Sequence, residues 1–164
     1  SLWNELYEKV KAVKGGLCGN DALEIAMLEV RQPLQTRETR DLDVRSAGLE
    51  WLIDFGKEAY IGKESIEALM REKVGQQIVG FTAPKSATIM HNDRIMVEDQ
   101  EIGKVVIARY SPRLQSMLGL ALNKEPFTVP GLQWVVKNQW GEVVPALSIS
   151  SPYVIPGSWI IKML

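Results

Sequence analysis

Residues 47–66 read AGLEWLIDFGKEAYIGKESI, and the parsing of this stretch decides how the rest of the chain is arranged. An apolar run, Leu49-Glu50-Trp51-Leu52-Ile53, has the composition of a short strand. It is followed by Tyr60-Ile61-Gly62-Lys63-Glu64, where glycine punctuates a loop, and then by a helical pattern over Lys63 to Lys73 with Ile66, Leu69 and Met70 on one face. Glu64 falls in the first turn of that helix, where a negative charge meets the positive end of the helix dipole.

Toward the N-terminus the pattern is helical. Leu2, Trp3, Leu6, Tyr7, Val10 and Val13 recur at spacings of three and four, and Gly15-Gly16 stops the helix. Asn20 or Asp21 can cap a second helix. Its Ala22, Leu23, Ile25, Ala26, Met27 and Leu28 make an apolar surface broad enough to be mostly buried, and Pro33 closes it. Gln35 to Arg45 is charge-dense and reads as a solvated loop with mixed ion pairs.

Past Gly75 the period changes. Gln77–Ala83, Arg94–Val97, Gly103–Tyr110, Leu118–Asn123, Gln133–Lys137 and Val143–Ser150 are short strand patterns, with turns at Glu98–Glu101, Pro130-Gly131 and Gln139–Glu142. Such spacing suits a small antiparallel barrel or sandwich. The fold class is therefore α+β, with one unit over residues 1–75 and a β-barrel over residues 76–164.

Composition narrows the function classes. The chain has 164 residues, enough to bury a core, and a formal net charge of −1 with Lys and Arg scattered along it, which argues against a nucleic-acid binder. No run approaches the roughly 18 apolar residues of a membrane span, and Leu2 to Val13 is too charged for a signal peptide. The single cysteine, Cys18, excludes an intrachain disulfide framework, suits a reducing, cytoplasmic compartment and reads as a small buried or half-buried thiol. The chain begins with Ser inside a helical pattern, as the C-terminal portion of something longer would.

Chemistry-bearing residues are sparse. His91 is the only histidine and lies in a polar turn, so a Ser-His-Asp or metal site has little to work with. The carboxylate pairs Glu38/Asp41, Asp41/Asp43 and Glu98/Asp99 all fall in charged loops and read as solvated surface. Gly15-Gly16 and Gly19 follow a helix rather than a strand and make no phosphate loop. Of the five tryptophans (Trp3, Trp51, Trp134, Trp140, Trp159), most are expected in the core or at a domain interface. One beside a crevice could stack on a flat heterocycle.

An ordered set of matches from Leu2 to Leu114 resembles the C-terminal part of the glycine cleavage T-protein (aminomethyltransferase) family. Leu2-Trp3 is similar to the family's LWDAL helix, Ala22–Glu29 to ARDTLRLE, and Gln32-Pro33-Leu34 to its MPL turn. Ala47–Trp51 is similar to AGLGW, Tyr60–Ile66 to FIGREAL, Ile78–Phe81 to LVGLE, and Gly103–Leu114 to GEVTSGTFSPTL. The resemblance implies that residues 1–75 are the C-terminal part of a folate-binding fold. It also implies transfer of a one-carbon unit from an amine or related small donor to tetrahydrofolate. Two positions carry over as cofactor-binding candidates: Trp51, at an aromatic position lining the folate site, and Glu29, a carboxylate in the adjacent helix.

The departures matter as much. Leu23 and Met27 stand where the family has arginines, whose forked guanidinium pairs the carboxylates of folate. Val105, Val106 and Ile107 stand where the family has hydroxyl-bearing residues. The family's catalytic aspartate belongs to an N-terminal half, so no catalytic residue is assigned here, and that half or a partner subunit is an expected partner. The alternative is a non-catalytic folate-fold subunit, or a relative of the proteins that assist iron–sulfur assembly. Those carry a KGCYIGQE signature, and Ala59 here occupies its cysteine position.

Overall fold

The computed structural model describes residues 1–33, 38–73 and 75–157. Helices α1 (Leu2–Ala12) and α2 (Asn20–Glu29), one 3-10 turn (Glu50–Leu52) and helix α3 (Lys63–Arg71) precede six strands. These are β1 (Gln76–Ala83), β2 (Arg94–Val97), β3 (Gln100–Ser111), β4 (Ser116–Lys124), β5 (Gln133–Lys137) and β6 (Val143–Ile149). In the order β1-β4-β3-β2-β5-β6 they close an antiparallel barrel, with Thr82 of β1 opposite Leu147 of β6 at the seam. Closure leaves no free strand edge. Irregular register between Ile95 and Met96, and between Val105 and Ile107, bends β2 and β3 around the curve.

The barrel interior takes every second residue. Val79, Phe81 and Ala83 of β1 meet Ile95, Ala121, Trp134, Val136 and Val144 in one core. The other face of β1, β3 and β4 is not solvated. Ile107, Leu118 and Leu120 pack outward against Leu28 of α2, which is why these strands read as near-continuous apolar runs rather than clean alternations. Phe81 fits because its cross-strand partner is Gly119. A Cβ at Gly119 would lie 2.2 Å from the Phe81 ring.

Two polar contacts fasten α2 to the barrel. Ser111 Oγ donates to Glu29 Oε1 at 2.5 Å, and Arg109 Nη2 donates to Glu24 Oε2 at 2.8 Å. Beyond β6, the Val154 amide donates to the Glu29 carbonyl at 2.8 Å, and the Tyr153 hydroxyl donates to the Gly119 carbonyl at 2.6 Å. Gly80 makes room for Tyr153, since a Cβ there would lie 2.6 Å from the hydroxyl.

Burial pushes the Tyr153 pKa above its ordinary 10, while the charge of Arg31 pulls more weakly the other way. A raised folded-state pKa means that this contribution to stability is intact below about pH 10 and is lost as pH rises above it. Urea titrations at about pH 8 and about pH 11 should therefore show an alkaline loss that Tyr153→Phe reduces. At the lower pH the same substitution should cost about 1 kcal/mol for the lost hydrogen bond.

Several expectations need correction. Leu49–Ile53 is not a strand: Gly48 turns the chain at φ 66°, and Glu50–Leu52 coils into a single 3-10 turn outside the closed barrel. Gly19, not Asn20 or Asp21, caps α2, and no side-chain cap bond forms. The broad apolar surface of α2 is not mostly buried, because only the ridge carrying Leu28 reaches the barrel and Leu23 stays exposed. Cys18 is exposed, in the segment between α1 and α2. Trp134 is core, but Trp3, Trp51 and Trp140 are exposed, and Trp159 lies outside the described residues. Of the expected solvated loop, Gln35 to Arg37 also lie outside them, whereas Glu38 is buried.

Candidate functional site

The 3-10 turn holds Trp51 at the rim of a cavity of about 360 Å³. The indole is 71% exposed, so its face is open rather than spent on packing. The cavity is lined by the end of α2's connection (Val30, Arg31), the Ala47–Leu49 segment, Ile78 of β1, and Pro152.

Arg31 organises this corner. Its backbone is left-handed, with φ 56°, which ends α2 sharply and turns the side chain inward. Nη1 donates to Glu38 Oε2 at 2.5 Å, and Nη2 makes a longer bond of 3.5 Å to the Ala47 carbonyl, the start of the segment that carries Trp51. The Glu38 side chain is fully buried and that of Arg31 nearly so. Glu38 Oε1 has no hydrogen-bond partner among the described residues. Next to this corner, Asp43 accepts from the Arg45 and Ser46 amides and from the Ser46 hydroxyl. Burial alone would raise the Asp43 pKa, but these bonds outweigh it and hold the carboxyl below its ordinary 3.8. Of this loop's carboxylates only Glu38 is buried; Asp41 and Asp43 stay exposed, as a solvated loop requires.

Glu29 is the last residue of α2 and does not line the Trp51 cavity. Its carboxylate is taken by Ser111 on the barrel. Leu23 and Met27, at the arginine positions of the resemblance, sit on the same helix as Glu29. Sequence reasoning missed Arg31 and Glu38. They are only seven residues apart, but nothing in a charge-dense loop distinguishes one buried pair from its solvated neighbours.

Arg31 is the one titratable group among the cavity's described lining residues. The arrangement can therefore hold a flat ring against the indole and offer it a guanidinium edge, but supplies no general acid or base. His91 is exposed on the far side of the loop before β2, where Nδ1 donates to the Val106 carbonyl at 2.9 Å. Among the described residues no three His, Cys, Asp or Glu side chains gather as a metal site would require, and no helix is long and apolar enough to cross a membrane.

Residues 76–154 match the glycine cleavage T-protein C-terminal barrel domain. The chain is 26% identical over 158 residues to an aminomethyltransferase of Halalkalibacterium halodurans, a match covering 96% of this chain and 43% of that protein. It is 30% identical over 123 residues to an aminomethyltransferase of Leptospira interrogans, covering 74% of this chain and 33% of that one. It thus spans less than half the length of these relatives. Its fold superposes on the crystal structure of glycine cleavage system aminomethyltransferase T from Bartonella henselae with a TM-score of 0.80 at 18% identity, over 92% of this chain and 43% of that one. Barrel, helices and sequence agree: residues 76–154 are a glycine cleavage T-protein C-terminal barrel domain, and the chain as a whole is similar to the C-terminal portion of the aminomethyltransferases it matches.

Proposed function

We propose that this chain is the C-terminal portion of a folate-dependent aminomethyl- or methyltransferase that moves a one-carbon unit from an amine or related small donor to tetrahydrofolate. On this reading residues 1–75 are the end of the folate-binding fold and residues 76–164 the barrel that backs it. The observation that carries the reading is the open Trp51 indole at the rim of a cavity that Arg31 also lines.

The residues present fit the ring of the folate better than its tail. Trp51 can cover a pterin face, and Arg31, held in place by Glu38, can meet a carbonyl or ring nitrogen at the edge. Leucine and methionine at positions 23 and 27 offer the tail carboxylates no partner from α2. Tetrahydrofolate, when bound, supplies the nitrogen nucleophile that accepts the one-carbon unit. This chain's residues then act by position: Trp51 fixes the ring plane, Arg31 its edge, and the barrel behind Ile78 keeps water from one side. The acid–base groups would come from a preceding half of the protein.

Titrating 5-formyltetrahydrofolate into the complete protein while following tryptophan fluorescence and melting temperature tests this. Binding should quench the signal and raise the melting temperature, and Trp51→Ala should weaken affinity by about tenfold or more, a stacking contribution of about 1.4 kcal/mol. Unchanged fluorescence and melting temperature would defeat the proposal. The absence of arginine at Leu23 and Met27 favours a second reading, a non-catalytic subunit that keeps the fold, in which folate binds weakly or not at all. Ala59 weighs against the version of that reading that needs a cysteine.

A further inference from the structure

Lys and Arg are scattered in the sequence, but the barrel register gathers three of them. Lys104 of β3 lies directly opposite Arg94 of β2, and Arg94 lies directly opposite Lys137 of β5. Directly opposed residues share a sheet face, so the three cations form a row across three strands with neighbours about 5 Å apart. All three line one cavity of about 410 Å³ on the barrel's outside, flanked by the Asn92 turn and the Asn138–Gly141 turn. Glu101 and Asp93 line it too. Asp93, however, is buried and accepts the Met90 amide at 2.7 Å, and among the described residues no ion pair joins either carboxylate to the three cations.

Like charges directly opposed across strands destabilise a sheet. Here two such pairs are placed side by side in a chain whose net charge is −1, with no acidic residue interposed in the row. A concave row of unpaired cations costs stability when empty and gains it when a negative ligand bridges the row. We propose that this row is a binding site for a compact multivalent anion carrying phosphate or carboxylate groups. The half-buried Lys137 would anchor one charged group, and the exposed Arg94 and Lys104 the others. The site is separate from the Trp51 cavity and does not depend on the folate reading.

The test is calorimetry and thermal melting of the 164-residue chain with inorganic tripolyphosphate and, separately, citrate, at about 50 mM salt so that screening stays weak. At least one anion should bind and raise the melting temperature; the tighter of the two assigns phosphate or carboxylate chemistry. The triple variant R94Q/K104Q/K137Q should weaken that binding by about tenfold or more. Without anion it should melt about 1–3 °C higher, because the repulsion is gone. Arg113→Gln removes an exposed cation from the β3–β4 turn and should leave affinity within about twofold. No binding by either anion, undiminished binding by the triple variant, or an equal loss in Arg113→Gln would each overturn the site.

Discussion

Phe81→Ala is expected to lower the unfolding free energy by about 3–5 kcal/mol, a large part of what a domain of this size has to lose. The ring is completely buried in the barrel and lies over Gly119, its cross-strand partner. β1 is hydrogen-bonded on both sides, to β4 and to β6, so the backbone cannot close in on the void. The converse change, Gly119→Ala, forces a methyl into the ring and the Ile107 carbonyl and should cost about 1–3 kcal/mol. In Phe81→Leu with Gly119→Ala the smaller side chain vacates the space the methyl needs. The double variant should then lose less than the sum of the singles, by about 1–2 kcal/mol. Urea denaturation followed by circular dichroism reads the parent, the single variants Phe81→Ala, Phe81→Leu and Gly119→Ala, and the double variant. Strict additivity would mean that the ring and the glycine do not share a space.

Arg31→Ala is expected to cost about 3–5 kcal/mol, because it strands the buried Glu38 carboxylate without the one counter-charge it has among the described residues. Glu38→Ala should cost less, since Arg31 keeps some solvent contact and its Ala47 bond. Replacing both residues by apolar ones, Arg31→Met with Glu38→Leu, should recover most of the loss and bring stability to within about 1–2 kcal/mol of the parent. Stability and folate affinity should then separate. The double variant melts near the parent temperature yet lacks the guanidinium at the Trp51 cavity, so a drop in folate affinity in that protein alone would mark Arg31 as a binding group rather than a strut. Full recovery of both properties would remove Arg31 from the binding site.

The elements that could be read from the sequence are those fixed by local pattern. The spacing of Leu2, Leu6 and Val10 announces α1. The alternation in Gln133–Lys137 and the turn residues around Gly141 announce β5 and β6, and residues 76–83 change period where β1 begins. The failures share one cause, which is that the deciding partner is distant in sequence. The stretch around Trp51 has strand composition, yet every strand of the barrel already has two neighbours, so the run coils into a turn and its indole stays open. α2 is apolar on a broad surface, but the barrel offers it only the ridge formed by Ile107, Leu118 and Leu120. Glu38 looks like its loop neighbours until Arg31 closes on it. Trp51 as a candidate came from the family resemblance. The cavity beside it, and the row of Arg94, Lys104 and Lys137, needed the folded register.

The way α2 is fastened also fixes when it can settle on the barrel during synthesis. Its contacts to Arg109 and Ser111 are 85 and 82 residues downstream, and the strand that seals the barrel ends at Ile149. A ribosome adding roughly 5–20 residues per second exposes the helix for several seconds before its seat exists. Over that interval the helix carrying Leu23, Met27 and Leu28 lacks the barrel ridge of Ile107, Leu118 and Leu120 on which Leu28 comes to rest. Barrel closure, being non-local, is the slow event, and the Trp51 corner can only take shape after it.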